Sequence, residues 1–316
     1  MDKCNIRGEI NPEILIIGAA ILDILVRPVG VDVFRVGSYN AEDIRMSVGA
    51  DALNEATILA KMGKSVGLET VIGKDKAGKL ILDHCREQGI LLRADSVREG
   101  LSTGINVVLV EEDGRRSFLT NPHGSLRKLR LEDIPVPFPE SAKIVCFASL
   151  FVFPEIRTRE LEILFAQVKK QNKILCVDMT KCKNHETAEE MESALRYVDY
   201  LFPNDEEALL LTGQKSVEES AEVLLNVGVK HVVIKCGARG CYIRTAQEKM
   251  WIPAAEGVKC VDTTGAGDSF AAGFIYALSE GQNLKDCAQY ANICGGKAVE
   301  VMGSTEWIIT SRNLNE

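Results

Sequence analysis

The sequence predicts an α/β fold: a doubly wound, mainly parallel sheet with helices on both faces. Two observations carry that expectation. Short runs rich in Ile and Val alternate with amphipathic segments along most of the chain. The short runs are apolar at nearly every position rather than at every second one, as strands buried on both faces are. Size agrees. With 316 residues, 46% hydrophobic and 26% charged, the chain can bury a large core without covalent staples.

The strand candidates are residues 13–18, 65–72, 143–147, 174–178, 200–203 and 231–236. Helix candidates lie between them. Residues 52–62 follow a glycine-containing stretch and are full of helix formers. Residues 160–170 put Leu161, Leu164 and Val168 on one face, and residues 216–227 do the same with Val217, Ala221 and Leu224, with Ser216 as N-cap. Two regions break the pattern. Residues 31–46 alternate only weakly, and residues 103–120 read as a hairpin turning at Asp113-Gly114. Together they predict a small β outgrowth. Pro135-Val136-Pro137-Phe138-Pro139 reads as a stiff connection rather than a boundary, so residues 1–316 are expected to form one domain.

Charge and composition narrow the function. The net charge of −8 argues against a nucleic-acid surface or an anionic membrane. No apolar run is long enough to span a bilayer, and the polar start, Met1 to Pro12, has no signal-peptide core. The ten cysteines include no CxxC pair, and His84, His123, His185 and His231 are far apart, so no zinc pattern emerges. Most cysteines, such as Cys146 and Cys176, sit in apolar runs, which reads as reduced core thiols in a cytoplasmic protein.

The chemistry concentrates in Asp262-Thr263-Thr264-Gly265-Ala266-Gly267-Asp268-Ser269-Phe270. Three small residues lead into a helical pattern with Phe270, Phe274 and Leu278 on one face. A backbone free of bulk at a helix N-terminus is an anion site, because the first amides are unpaired and the dipole end is positive. A lone glycine turn with Asp268 as a cap is the plainer reading, and the flanking residues argue against it. In Gly49-Ala50-Asp51-Ala52-Leu53-Asn54, small residues again open a helix, and Asp51 and Asn54 share one face, suited either to hydroxyl groups or to capping. Asp23 follows the first strand, near the carboxyl edge where open α/β sheets bind ligands.

These stretches resemble the ribokinase-like carbohydrate kinases, the PfkB family. Residues 262–270 match its C-terminal signature without departure, and residues 49–56 resemble its N-terminal one. Gly63, Gly67, Gly73, Asp75 and Gly78 fall where the family has glycines after the first helix. Asn204 and Glu207 match its Asn-x-x-Glu element, and Gly237 and Gly240 its later glycine turn. Two departures stand out: Ala50 replaces the second glycine of a Gly-Gly pair, and Gly73 to Gly78 reads Gly-Lys-Asp-Lys-Ala-Gly.

The resemblance implies an ATP-dependent kinase with a ribokinase-like fold and a small β-sheet lid, its strands within about residues 31–46 and 103–120. Asp268 would be the general base, and the amides of Gly265, Ala266 and Gly267 the anion hole. Asp23, Gly49, Asp51 and Asn54 would hold the substrate. Asn204, Glu207, Gly237 and Gly240 would hold ATP and its phosphates, with Glu207 reaching Mg²⁺ through water. Family members often bind a monovalent cation, K⁺ included, beside the anion hole, and Asp262 stands at one position that helps to form that site. A homodimer through the lid is expected, because a lone small sheet would leave an apolar face exposed.

Acidic Asp23 and Asp51 favour a neutral sugar over an anionic substrate. A nucleoside kinase or a 2-keto-3-deoxygluconate-type sugar-acid kinase is the alternative. A nucleoside would need aromatic walls, and the chain is 6% aromatic, with Phe118 alone in the hairpin. Residues 73–80 nearly spell a Walker A loop, but Leu80 stands where a Mg²⁺-binding hydroxyl belongs.

Overall fold

Ten strands lie side by side in the main sheet of the computed structural model, which describes residues 6–7, 10–113 and 115–308. In spatial order they are Ile6–Arg7, Leu91–Arg93, Val66–Glu69, Ile14–Ile17, Ile144–Leu150, Ile174–Met179, Tyr200–Phe202, His231–Lys235, Cys241–Thr245 and Lys249–Ile252. The first eight pair in parallel, and the last two close that edge as antiparallel strands. From Ile14–Ile17 the chain steps outward to Val66–Glu69 and Leu91–Arg93. It then returns to Ile144–Leu150 and steps the other way. The order therefore reverses between the two central strands, and the crevice at their carboxyl ends is where a ligand site is expected.

The helices are α1 (Asp51–Lys61), α2 (Lys76–Gln88), α3 (Thr158–Lys170), α4 (Glu192–Leu195), α5 (Asp205–Thr212), α6 (Val217–Asn226), α7 (Ala266–Ser279) and α8 (Leu284–Ala298). Strand side chains alternate between two cores. Leu15, Ile17, Val145, Phe147 and Val177 pack under α3 to α6, whereas Ile14, Ile16, Cys146 and Phe202 pack under α1, α2, α7 and α8. This is the doubly wound arrangement expected. Ser216 caps α6 as anticipated, accepting from the Glu219 amide at 3.2 Å.

A second sheet has the order Arg116–Thr120, Ile105–Val110, Ile21–Arg27, Asp43–Gly49. Its outer pairs are antiparallel and its middle pair is parallel. The structure corrects its boundaries. Only Asp43–Gly49 is a strand in the 31–46 region, and it runs on to Gly49 after a 3₁₀ turn at Val31–Phe34. The strand Ile21–Arg27 has no counterpart in the sequence expectation. Gly114, at the hairpin tip, lies outside the described residues.

Register gives this sheet two unlike faces. Leu22, Ile24, Val26, Ile44, Met46, Val48, Val107 and Leu119 share one, and Asp23, Arg27, Arg45, Asn106, Arg116 and Phe118 share the other.

Candidate active site

The N-terminus of α7 is shaped by its glycines. Gly265 has φ 71°, and a Cβ there would lie 2.6 Å from Ser304 Cα, so the turn admits no side chain. A Cβ on Gly267 would stand 3.5 Å from Lys235 Nζ, in the space before the helix. The Ala266 amide leans back to the Thr263 carbonyl at 3.3 Å, so this one of the three expected anion-hole donors has a partner within the loop.

Asp268 sits in the first turn of α7, half-buried. Asn54 of α1, 214 residues earlier, donates to its Oδ2 at 2.6 Å, and Ser304 donates to Asn54 Oδ1 at 2.9 Å. Both ends of the Asn54 amide are thus engaged by the protein. Burial raises the Asp268 carboxyl to about 6, against the lowering pull of Asn54.

Asp268, Gly267 and Ala266 open on a cavity of about 740 Å³. Asp51, Asp178, Lys235, Asn204, Glu207, Gly237 and Gly240 line it too, as do the small or apolar Ala255, Val258, Gly295, Gly296 and Val299. Lys235 Nζ donates to Asp178 at 2.6 Å with both side chains largely buried. Burial works against the ammonium, but the carboxylates of Asp178 and Glu207 outweigh it and hold Lys235 above the ordinary lysine range. A fixed positive charge, helix amides and a carboxylate that titrates near neutrality converge here. That set can bind phosphate and take a proton.

A model of the pfkB family of carbohydrate kinases matches residues 11–310. The chain belongs to that family. It is a carbohydrate kinase, a phosphotransferase with an alcohol acceptor. It is 27% identical to an uncharacterized sugar kinase of Archaeoglobus fulgidus, over 78% of this chain and 97% of that one. It is 28% identical to the ribokinase of Schizosaccharomyces pombe, over 82% and 83%. The crystal structure of ribokinase from Thermotoga maritima superposes with a TM-score of 0.79 at 26% identity, covering 96% of this chain and 98% of that one.

Around Asp268 of this pfkB kinase, the remaining expected residues fall into two groups. Asp23, Gly49 and Asn54 come together: a Cβ on Gly49 would lie 2.6 Å from Asp23 Oδ2 and 3.8 Å from Asn54 Oδ1. Burial raises the Asp23 carboxyl, and a bond with Asn106 partly offsets it. Asp51, at the start of α1, is raised well above the ordinary range by burial and by the charges of Asp268 and Asp178. Asn204 and Glu207 form a reciprocal cap on α5. The Glu207 amide donates to Asn204 Oδ1 at 2.8 Å, and the Asn204 amide to Glu207 Oε2 at 2.7 Å. Burial pushes the Glu207 carboxyl up to about 7, with Lys235 opposing.

Asp262, the expected monovalent-cation position, already accepts several bonds from the protein. Its Oδ1 accepts from the Thr264 amide (3.0 Å), the Thr264 hydroxyl (2.7 Å) and the Arg116 guanidinium, and its Oδ2 accepts from the Gly303 amide (3.1 Å). Burial pushes this carboxyl up, but those bonds and the Arg116 charge prevail and it lies below the ordinary value.

The Walker-like stretch is a packing turn. Asp75 caps α2 through the Gly78 amide (2.8 Å) and also binds Thr103, and a Cβ on Gly78 would stand 2.0 Å from the Gly73 carbonyl oxygen. Ala77, one of the departures, is buried in that turn. Sequence reasoning missed Lys235, Asp178, Ser304 and Arg116. A charged residue ending a buried parallel strand is a usable signal for Lys235 and Asp178. Ser304 and Arg116 carried none.

Proposed function

We propose that this kinase transfers the γ-phosphoryl group of ATP to a hydroxyl of a small neutral sugar, with Asp268 as general base. One observation carries the reading: Asp268 shares a cavity with the first amides of its own helix and with Lys235. One element thus places the base beside the groups that meet the developing charge. Asp268, ionised at neutral pH, accepts the proton of the attacking hydroxyl, and Asn54 keeps its carboxylate aimed. The amides of Gly265 and Gly267 and the Lys235 ammonium bind the transferred phosphoryl oxygens. Asp23 and Asp51 bind substrate hydroxyls, which favours a neutral sugar. Ala255, Val258, Gly295, Gly296 and Val299 form the apolar seat for adenine, next to Gly237 and Gly240.

Mg²⁺ bound with the nucleotide would neutralise phosphate charge, with Glu207 the residue that would help to hold it. Among the described residues no cluster of three or more His, Cys, Asp or Glu side chains is placed to hold a metal. That suits an ion carried mainly by phosphates and water. Glu207 Oε1, free of the α5 cap, is the carboxylate that would meet its water shell.

The small sheet is the lid, its polar face turned to the sugar. Its other face leaves Ile44 at 66%, Met46 at 67% and Leu119 at 53% exposed, which supports a homodimer in which two lids pack together. The described cysteines are free and mostly buried, which supports a reducing, cytoplasmic setting, and no described helix is long and apolar enough to cross a membrane. Steady-state ATP turnover over a panel of pentoses, hexoses, sugar acids and nucleosides tests the substrate class. The best kcat/KM should fall on a neutral sugar, and a sugar acid or nucleoside as best substrate would overturn that choice. Light scattering at micromolar concentration should report a dimer that Met46→Glu dissociates.

A further inference from the structure

We infer that Arg116, carried by the small sheet, is the built-in counter-ion of Asp262 and takes the place of a monovalent cation, so that this kinase turns over without potassium. The inference rests on reading residues 262–268 as the phosphate loop.

The Asp262 side chain is 5% exposed and that of Arg116 is 29% exposed. A carboxylate so buried needs a positive partner to remain charged, and a guanidinium is one that never deprotonates. Arg116 completes a set of four donors on Asp262, with Thr264 giving two and Gly303 one. A carboxylate offers about four lone-pair sites. Three of these donors crowd Oδ1 and one meets Oδ2, so a cation binding at Oδ1 would have to displace a donor, and Arg116 is the donor with no backbone anchor. The same sheet face makes a second contact nearby, where Arg27 Nη1 lies 3.5 Å from Met302 Sδ.

The pair bears on the base through a short chain of contacts. Asp262 holds the Gly303 amide. The next residue, Ser304, donates to Asn54, and Asn54 donates to Asp268. Ser304 also packs against Gly265, whose backbone opens the anion hole. Arg116 is therefore a positioning residue. It balances the charge of Asp262 and so keeps the 303–304 segment seated.

The test uses the full chain in potassium, sodium or choline chloride at fixed ionic strength, with kcat read on its best sugar and Tm read without substrate. Wild type should vary by no more than about twofold in kcat once screening is held constant, with one Tm in all three salts. Arg116→Gln should lose about three- to thirtyfold in kcat in choline, as displaced network residues do. It should regain activity and gain Tm saturably as potassium fills the vacated site. Arg116→Lys, which keeps the charge, should stay near wild type in choline. Saturable potassium activation or stabilisation of wild type would overturn the inference. So would an Arg116→Gln variant that equals wild type in choline, or one that stays impaired at every potassium concentration. If no sugar is turned over, the functional reading fails, but the melting arms still decide the counter-ion assignment.

Discussion

Asn54 gives both ends of its amide to the site: Nδ2 donates to Asp268 Oδ2 at 2.6 Å, while Oδ1 accepts from Ser304 at 2.9 Å. The two helices that carry Asn54 and Asp268 pack against each other in one core. A bond donated to a carboxylate favours its charged form. Asn54 therefore works against the burial that raises Asp268, and keeps it ionised at neutral pH.

That relationship predicts a pH profile. Wild-type kcat/KM should fall as pH drops through about 6, where Asp268 takes up its proton. Asn54→Ala removes a lowering contribution, so the acid limb should move to higher pH. Losing a hydrogen bond to a charged group should also cost about ten- to a hundredfold in kcat/KM at pH 6. Rate measurements from pH 5 to 9 on both proteins check this. An unmoved midpoint would mean that Asn54 only packs.

Lys235 and Asp178 predict a stability cycle. With Nζ and Oδ1 2.6 Å apart and both side chains buried, removing one partner strands the other. Lys235→Met should destabilise by about 3–5 kcal/mol in urea unfolding, and Asp178→Leu added to it should restore much of that. If Lys235 binds phosphate, the restored double variant should still show a raised KM for ATP. A normal KM in that variant would confine Lys235 to structure.

Ala50 predicts a stabilising substitution. It has φ 81° and ψ 154°, a region that glycine enters freely and alanine does not. Such backbone strain costs about 1–3 kcal/mol, whereas glycine costs about 0.4–1 kcal/mol through the unfolded chain. Ala50→Gly should raise Tm by a few degrees. A lower Tm would show that contacts of the Ala50 methyl outweigh the strain.

The main sheet was legible because parallel strands buried on both faces leave unbroken apolar runs, and Ile14–Ile17, Ile144–Leu150 and Ile174–Met179 are such runs. Ile21–Arg27 was not, because an Asp interrupts it and it begins only three residues after Gly18, and its partners come from distant parts of the chain. The glycine loop and Asp268 were legible because small residues leading into a helix leave a local pattern. The pairing of Asn54 with Asp268 was not, since a contact across 214 residues has no local trace. Neither had Arg116, one arginine in a hairpin, whose partner becomes apparent only when the small sheet lies over the loop.

Asp268→Asn tests the central claim most directly. It preserves shape and removes the proton acceptor. Its melting is an independent control. The Asp268 carboxyl is raised from 3.8 to about 6, so its stabilising contribution is full below the unfolded value and lost as pH rises through about 6. The variant should therefore gain in Tm relative to wild type between pH 4.5 and 7.5. The deciding measurement is kcat at pH 7.5 on the best sugar, with the ATP dissociation constant of the same protein. A fall of about 10²–10⁴ or more in kcat, with ATP affinity changed by less than about tenfold, is the predicted result. A folded Asp268→Asn variant that turns over at the wild-type rate would contradict the assignment of Asp268 as the base.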